Sequence, residues 1–259
     1  MKGAILGDIM GSTYESNPVK RKNIDLFPPG TTFTDDTVLT IAVADAIMNN
    51  IPYREALHRY ARAFPGRGYG GRFLSWIEED DPVPYNSFGN GSAMRVSAVG
   101  WAFGSEEEVL HQAALSAEPS HNHPEGIRGA RATALSVYLA RNGTGRDGIR
   151  ETIEQKFGYD LSRTLEEIRP GYSFDVTCQG TVPEAIIAFL ESGSYEDAVR
   201  NAISLGGDSD TLACITGGIA EAYYMEIPEE IERKGLSYLD RDLLEVVERF
   251  TKSCHWRIS

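Results

Sequence analysis

The sequence predicts an all-α protein. Apolar residues recur at helical spacing in one segment after another, and no stretch alternates long enough to require a strand. Gly3, Gly7 and Gly11 stand four apart, which on a helix gives a smooth stripe that a second helix can approach closely. Val38 to Met48 is apolar almost all round and predicts a buried helix. Glu107 to Ala117 repeats Val109, Leu110, Ala113, Ala114 and Ala117 on one face. Ile127 to Leu139 is Ala-rich, and Val182 to Leu190 carries Pro183 where a first helical turn accepts it. Tyr195 to Leu205, Thr211 to Tyr224 and Leu239 to Phe250 complete the helices. Residues 17–34, 64–91 and 142–179 are expected to be long loops. With no low-complexity tract and no internal repeat, one domain is expected.

Composition narrows the partners. The 259 residues carry 38 Asp and Glu against 25 Lys and Arg, a net charge of -13. Phosphate backbones require a basic face, so binding to nucleic-acid backbone is not expected. The three cysteines, Cys178, Cys214 and Cys254, form no CxxC, so a disulfide framework is not expected and a reducing compartment is. The first apolar run is too short for a signal peptide, and no stretch reaches the ~20 apolar residues of a membrane span. A cytoplasmic monomer is the expectation.

Two acidic clusters stand before apolar helices: Thr34-Asp35-Asp36-Thr37 and Gly206-Gly207-Asp208-Ser209-Asp210-Thr211. Hydroxyls and carboxylates cap helix N-termini and suit the dipole there. One carboxylate satisfies that need, and two such clusters exceed it. Their donors are all hard oxygens, which suit Mg²⁺, Mn²⁺ or Ca²⁺ rather than zinc. An EF-hand is excluded, since counting from Asp208 puts Leu212 at position 5 and Ala213 at position 6.

Ser87-Phe88-Gly89-Asn90-Gly91-Ser92 is a turn sequence in which Ser92 is placed to cap a following helix. Amides at such a helix start suit phosphate, although the Gly-Lys-Ser/Thr of a Walker loop is missing. Ser120-His121-Asn122-His123 holds two of the five histidines in a loop, where a histidine is ordinarily solvated. Glu15, just past the glycine stripe, is uninformative by itself.

Taken together, these motifs resemble the ADP-ribosylglycohydrolases. The matching pieces are Gly7-Asp8, Gly11 to Glu15, Thr34 to Thr37, Gly89 to Arg95, Ser120-His121 and Gly206 to Thr211, in the family's order across most of the chain. The resemblance implies one orthogonal helical bundle over residues 1–259 with a two-metal cleft. It implies two Mg²⁺ or Mn²⁺ ions held by Thr34, Asp35, Asp36, Asp208, Asp210 and Thr211. Ser87, Phe88, Gly89, Asn90, Gly91, Met94, Arg95 and His121 would line an ADP-ribose pocket, with Phe88 stacking on an aromatic ring. Glu15, with Asp35 and Asp208, would serve catalysis. Loops 17–33 and 142–179 would meet the acceptor, a modified protein side chain such as arginine or serine, or another ADP-ribosyl conjugate. Glu221 departs from the pattern, since many relatives carry a small residue there. The alternatives are a metal-dependent nucleotide phosphohydrolase and a non-catalytic ADP-ribose binder.

Overall fold

The computed structural model describes residues 1–255, and these form fifteen helices. The chain opens with α1 (Lys2–Ser16), α2 (Asp35–Asn49), α3 (Tyr53–Ala63) and α4 (Gly71–Glu78). Two short helices, α5 (Gly91–Met94) and α6 (Ser97–Ala102), lead to α7 (Glu106–Ala117) and α8 (Pro124–Arg141). Next come α9 (Arg146–Phe157), α10 (Leu165–Ile168), α11 (Cys178–Leu190) and α12 (Tyr195–Ile203). Finally come α13 (Ser209–Tyr224), α14 (Glu229–Leu236) and α15 (Arg241–His255). The sole extended pairing among the described residues is an isolated antiparallel bridge between Gly89 and Thr177.

The most extensive helix pair is α1 with α13, and the glycine stripe explains it. A Cβ on Gly3 would stand 2.5 Å from Cβ of Glu221, one on Gly7 2.5 Å from the Ala213 carbonyl carbon, and one on Gly11 2.6 Å from Cα of Asp210. The partner numbers fall as the glycine numbers rise, so the two helices run antiparallel. The C-terminal end of α1, with Glu15, therefore meets the N-terminal end of α13, with Asp208 and Asp210. Glu221 sits at the opposite end of the pair. It accepts the Gly3 amide at 2.9 Å and pairs with the terminal ammonium of Met1.

Several segments differ from the sequence expectation. The stretches 64–91 and 142–179 hold helices. Of these, α4 buries Phe73, Trp76 and Ile77, and α9 buries Ile149 and Ile153. Packing of two or three side chains holds them, a pattern too sparse to stand out as periodicity. α11 begins at Cys178, four residues before the expected start, because the Thr177 hydroxyl caps the Gly180 amide at 3.1 Å. Pro183 consequently lies inside the helix, where its missing N–H leaves one carbonyl of the preceding turn without its usual partner. No helix among the described residues is long and apolar enough to cross a membrane.

Candidate active site

α1 is the spine that brings the two acidic clusters together. Asp8, fully buried in its middle, accepts four hydrogen bonds. They come from the Thr34 amide at 3.0 Å, the Thr34 hydroxyl at 2.7 Å, the Thr37 amide at 3.1 Å and the Thr37 hydroxyl. These bonds fix the start of α2 against α1. Thr34 is the N-cap, and its hydroxyl accepts the Asp36 amide at 3.3 Å. No functional role was foreseen for Asp8. Its signal is a lone carboxylate inside an otherwise apolar helical run. Asp8→Asn puts an N–H among four donors, so it is expected to cost about 1–3 kcal/mol and to lower activity by disordering Thr34 to Asp36. Thermal melts and steady-state rates check this.

Capping accounts for Thr34 but not for the second cluster. Asp208 occupies the N-cap of α13, yet its side chain caps no amide of the helix. It accepts instead from Asn90 Nδ2 at 2.7 Å. Asp210 accepts the Thr211 amide at 3.0 Å, and the Thr211 hydroxyl donates to Asp36 across to the first cluster at 3.4 Å. Glu15, Asp208 and Asp210 each present a carboxylate oxygen within 4.8 Å of the others.

These acids repel one another. Burial, then the neighbouring carboxylates Asp8 and Asp208, raise Asp35 to about 8. Burial and like charges also hold Asp36 and Asp210 well above the usual carboxylate range. Burial raises Asp208, and burial with Asp208 and Asp8 raises Glu15. Among the described residues no Lys, Arg or His forms an ion pair with any of them. Asp36 Oδ2 is buried without a hydrogen-bond partner. Unbalanced buried carboxylates with hydroxyls beside them match the donor set of a hard divalent cation.

The clusters open into a cleft of about 400 Å³, within the range of small-molecule sites. Glu15, Thr34, Asp35, Asp36, Asp208, Asp210 and Thr211 line it, together with Ser87, Gly89, Asn90, Gly91, Met94, Arg95 and His121. Phe88 is not among the lining residues. It is 43% exposed and meets His123 edge-on at 5.4 Å. Ser87 and Gly89 face the cleft, and in an extended stretch the side chain between them points the other way. The lining aromatic rings are Phe73, Tyr85 and Phe174. Residues 17–33 contribute nothing to the lining, whereas Gly68, Gly70, Gly71, Arg72 and Phe73 do. Bonds that fasten the 17–33 stretch elsewhere include the pairing of Lys22 with Asp197 and the Arg200 guanidinium's donation to the Ile24 carbonyl at 2.8 Å.

The turn at Gly89 also differs in detail. Ser92 caps no helix, since its hydroxyl donates to the Gly126 carbonyl at 2.7 Å. The Gly89 amide donates to Ser87 Oγ at 3.1 Å and the Asn90 amide to the Val176 carbonyl at 2.7 Å. Two of the amides expected to meet phosphate are therefore engaged, which leaves those of Gly91 and Ser92. Contrary to the expectation of a solvated loop histidine, His121 is 5% exposed. Burial, with the nearby Arg95 and Arg72 charges, holds its imidazole well below the ordinary value.

Fold and site together define an all-α hydrolase built around a carboxylate-lined cleft. The chain belongs to the ADP-ribosylglycohydrolase family, whose model matches residues 1–258. It is 28% identical to ADP-ribosylhydrolase ARH3 of Homo sapiens, covering 94% of this chain and 90% of that protein. It is 25% identical to ADP-ribosylarginine hydrolase Tri1 of Pseudomonas putida (strain GB-1), covering 86% of this chain and 70% of that protein. A solved chain of an ADP-ribosylglycohydrolase-related protein complex shares the fold. Its TM-score is 0.73 at 22% identity, covering 97% of this chain and 95% of that one.

Proposed function

We propose that the chain hydrolyses the glycosidic bond between ADP-ribose and an acceptor, releasing free ADP-ribose, with two Mg²⁺ or Mn²⁺ ions in the cleft. The observation that carries this reading is the convergence of both oxygen-donor clusters and Glu15 on one cleft, where no carboxylate of the group is ion-paired among the described residues. Thr34, Asp35 and Asp36 would hold the ions from one side, and Asp208, Asp210 and Thr211 from the other. When bound, the ions supply positive charge beside the ribose hydroxyls.

The chain's own groups carry the remaining work. The transition state at the anomeric carbon is oxocarbenium-like, and ionised carboxylates beside it stabilise that charge. Glu15 reaches solvent at the rim, and its raised pKa brings it nearer neutral pH, as suits a group that takes up and gives back a proton. The Gly91 amide, on the cleft wall, would meet the pyrophosphate. Tyr85 and Phe174 offer ring faces to the nucleobase, the part first expected of Phe88.

Glu15→Gln is expected to lower kcat about 10²-fold or more while KM moves little. A fall in KM-determined affinity with kcat intact would instead make Glu15 a binding group. The acceptor is tested with a panel of ADP-ribosylated arginine and serine peptides and small conjugates, each with Mg²⁺ and with Mn²⁺. The reading requires free ADP-ribose from at least one, and release from none would end it.

A further inference from the structure

We propose that Arg95 and Ser120 are positioning residues that lock His121 in the tautomer carrying its proton on Nε2, presented as a hydrogen-bond donor to a pyrophosphate oxygen. The ligand in this statement rests on the functional reading above, whereas the tautomer does not.

The chain of bonds begins at Arg95, which is fully buried on the floor of the cleft. A guanidinium only donates. Its Nη2 donates to the Ser116 carbonyl at 2.8 Å and to Ser120 Oγ at 3.0 Å. The arginine foreseen as a pocket contact is therefore spent, on that edge, on the loop beneath the pocket.

Ser120 Oγ has one proton to give. The hydroxyl is fully buried, and among the described residues its one other hydrogen-bonding neighbour is His121 Nδ1 at 2.8 Å. Arg95 already supplies a donor to this oxygen. If Nδ1 were also a donor, the Ser120 proton would be buried with no acceptor, at the cost of an unmade bond. The Ser120 O–H therefore donates to Nδ1, so a neutral ring has its proton on Nε2. Burial and the two arginines nearby keep the ring neutral.

Nε2 looks onto the glycine turn. A Cβ on Gly91 would stand 3.1 Å from it and one on Gly89 3.5 Å from it. Glycine at both positions leaves this nitrogen uncovered beside the Gly91 backbone. Tyr85 is tilted beside the imidazole at 6.1 Å between ring centroids and restricts its swing. His121 Nε2 and the Gly91 backbone thus line the cleft side by side, where an anionic oxygen would sit.

The test is histidine ¹⁵N NMR on the intact protein at pH 7, reading which His121 nitrogen carries the proton. The proposal expects a neutral ring protonated on Nε2. A proton on Nδ1, or an imidazolium, would overturn it whatever the enzyme's activity. Ser120→Ala is expected to lose the single-tautomer signature. With it, KM for the ADP-ribosylated substrate is expected to rise about two- to fivefold while kcat stays within about twofold, because the anion must select the Nε2-protonated fraction of a mixture. Ser120→Thr, which keeps the hydroxyl, is expected to restore both. An unchanged spectrum and KM in Ser120→Ala would overturn the positioning role. A protein that releases no ADP-ribose from any conjugate but shows the Nε2 tautomer would retain the relay and lose only its named ligand.

Discussion

Asp210→Asn is expected to abolish divalent-cation uptake and to lower turnover by about 10³-fold or more, while leaving the helical fold intact. Asp210 is buried at the start of α13, and Asp208 and Asp36 are among the charges that raise its pKa. An amide keeps the shape and one oxygen but loses the charge that a cation requires. Without metal the exchange removes like-charge repulsion, so the metal-free variant is expected to melt above the metal-free parent. Calorimetric titration with Mn²⁺ and melts in chelator measure both effects. Uptake equal to the parent's would remove Asp210 from the metal centre.

The same electrostatics set a pH dependence for the metal-free parent. Asp35, Asp36, Asp208 and Asp210 have native pKa values above their unfolded ones, with Asp35 at about 8. Between the ordinary carboxylate range near 4 and about 8, the native state binds more protons than the unfolded chain, so stability falls as pH rises across that window. Saturating Mg²⁺ or Mn²⁺ is expected to flatten the slope, because the ions favour the ionised carboxylates that burial disfavours. Melting temperatures from pH 4 to 8, with and without metal, check the sign.

Gly11→Val is the largest expected structural perturbation. A Cβ there would stand 2.6 Å from Cα and 2.8 Å from the amide nitrogen of Asp210, both backbone atoms that have no rotamer to yield. The helices must separate, at a cost of about 3 kcal/mol or more, which is a fall in melting temperature of roughly 6–12 °C for a chain this size. The separation occurs where Glu15 meets Asp208 and Asp210, so activity is expected to fall further than stability alone accounts for. Gly171→Ala is the control, since no atom lies within 4 Å of its Cβ position. It is expected to be near neutral.

The parts of this architecture legible beforehand are those that chemistry repeats along the chain. The glycine stripe announces a close helix crossing, and two clusters of hard oxygen donors announce the acidic cleft they come to share. The antiparallel register of α1 and α13 was not legible, because any helix with a backbone free of large side chains satisfies a glycine stripe. Asp8 was hidden because its importance lies in four donors that only the fold assembles. That Phe88 lies outside the cleft lining was not legible, because its direction depends on the local extended backbone rather than on its identity. The short α4 and α9 were missed since tertiary packing, more than intrinsic periodicity, holds them.

The measurement that bears most directly on the whole account is the mass of the product released from an ADP-ribosylated peptide, with Mg²⁺ and with chelator. Free ADP-ribose with its pyrophosphate intact, formed only when the metal is present, is the predicted result. AMP with a ribose phosphate left behind, or equal release of ADP-ribose in chelator, would contradict it.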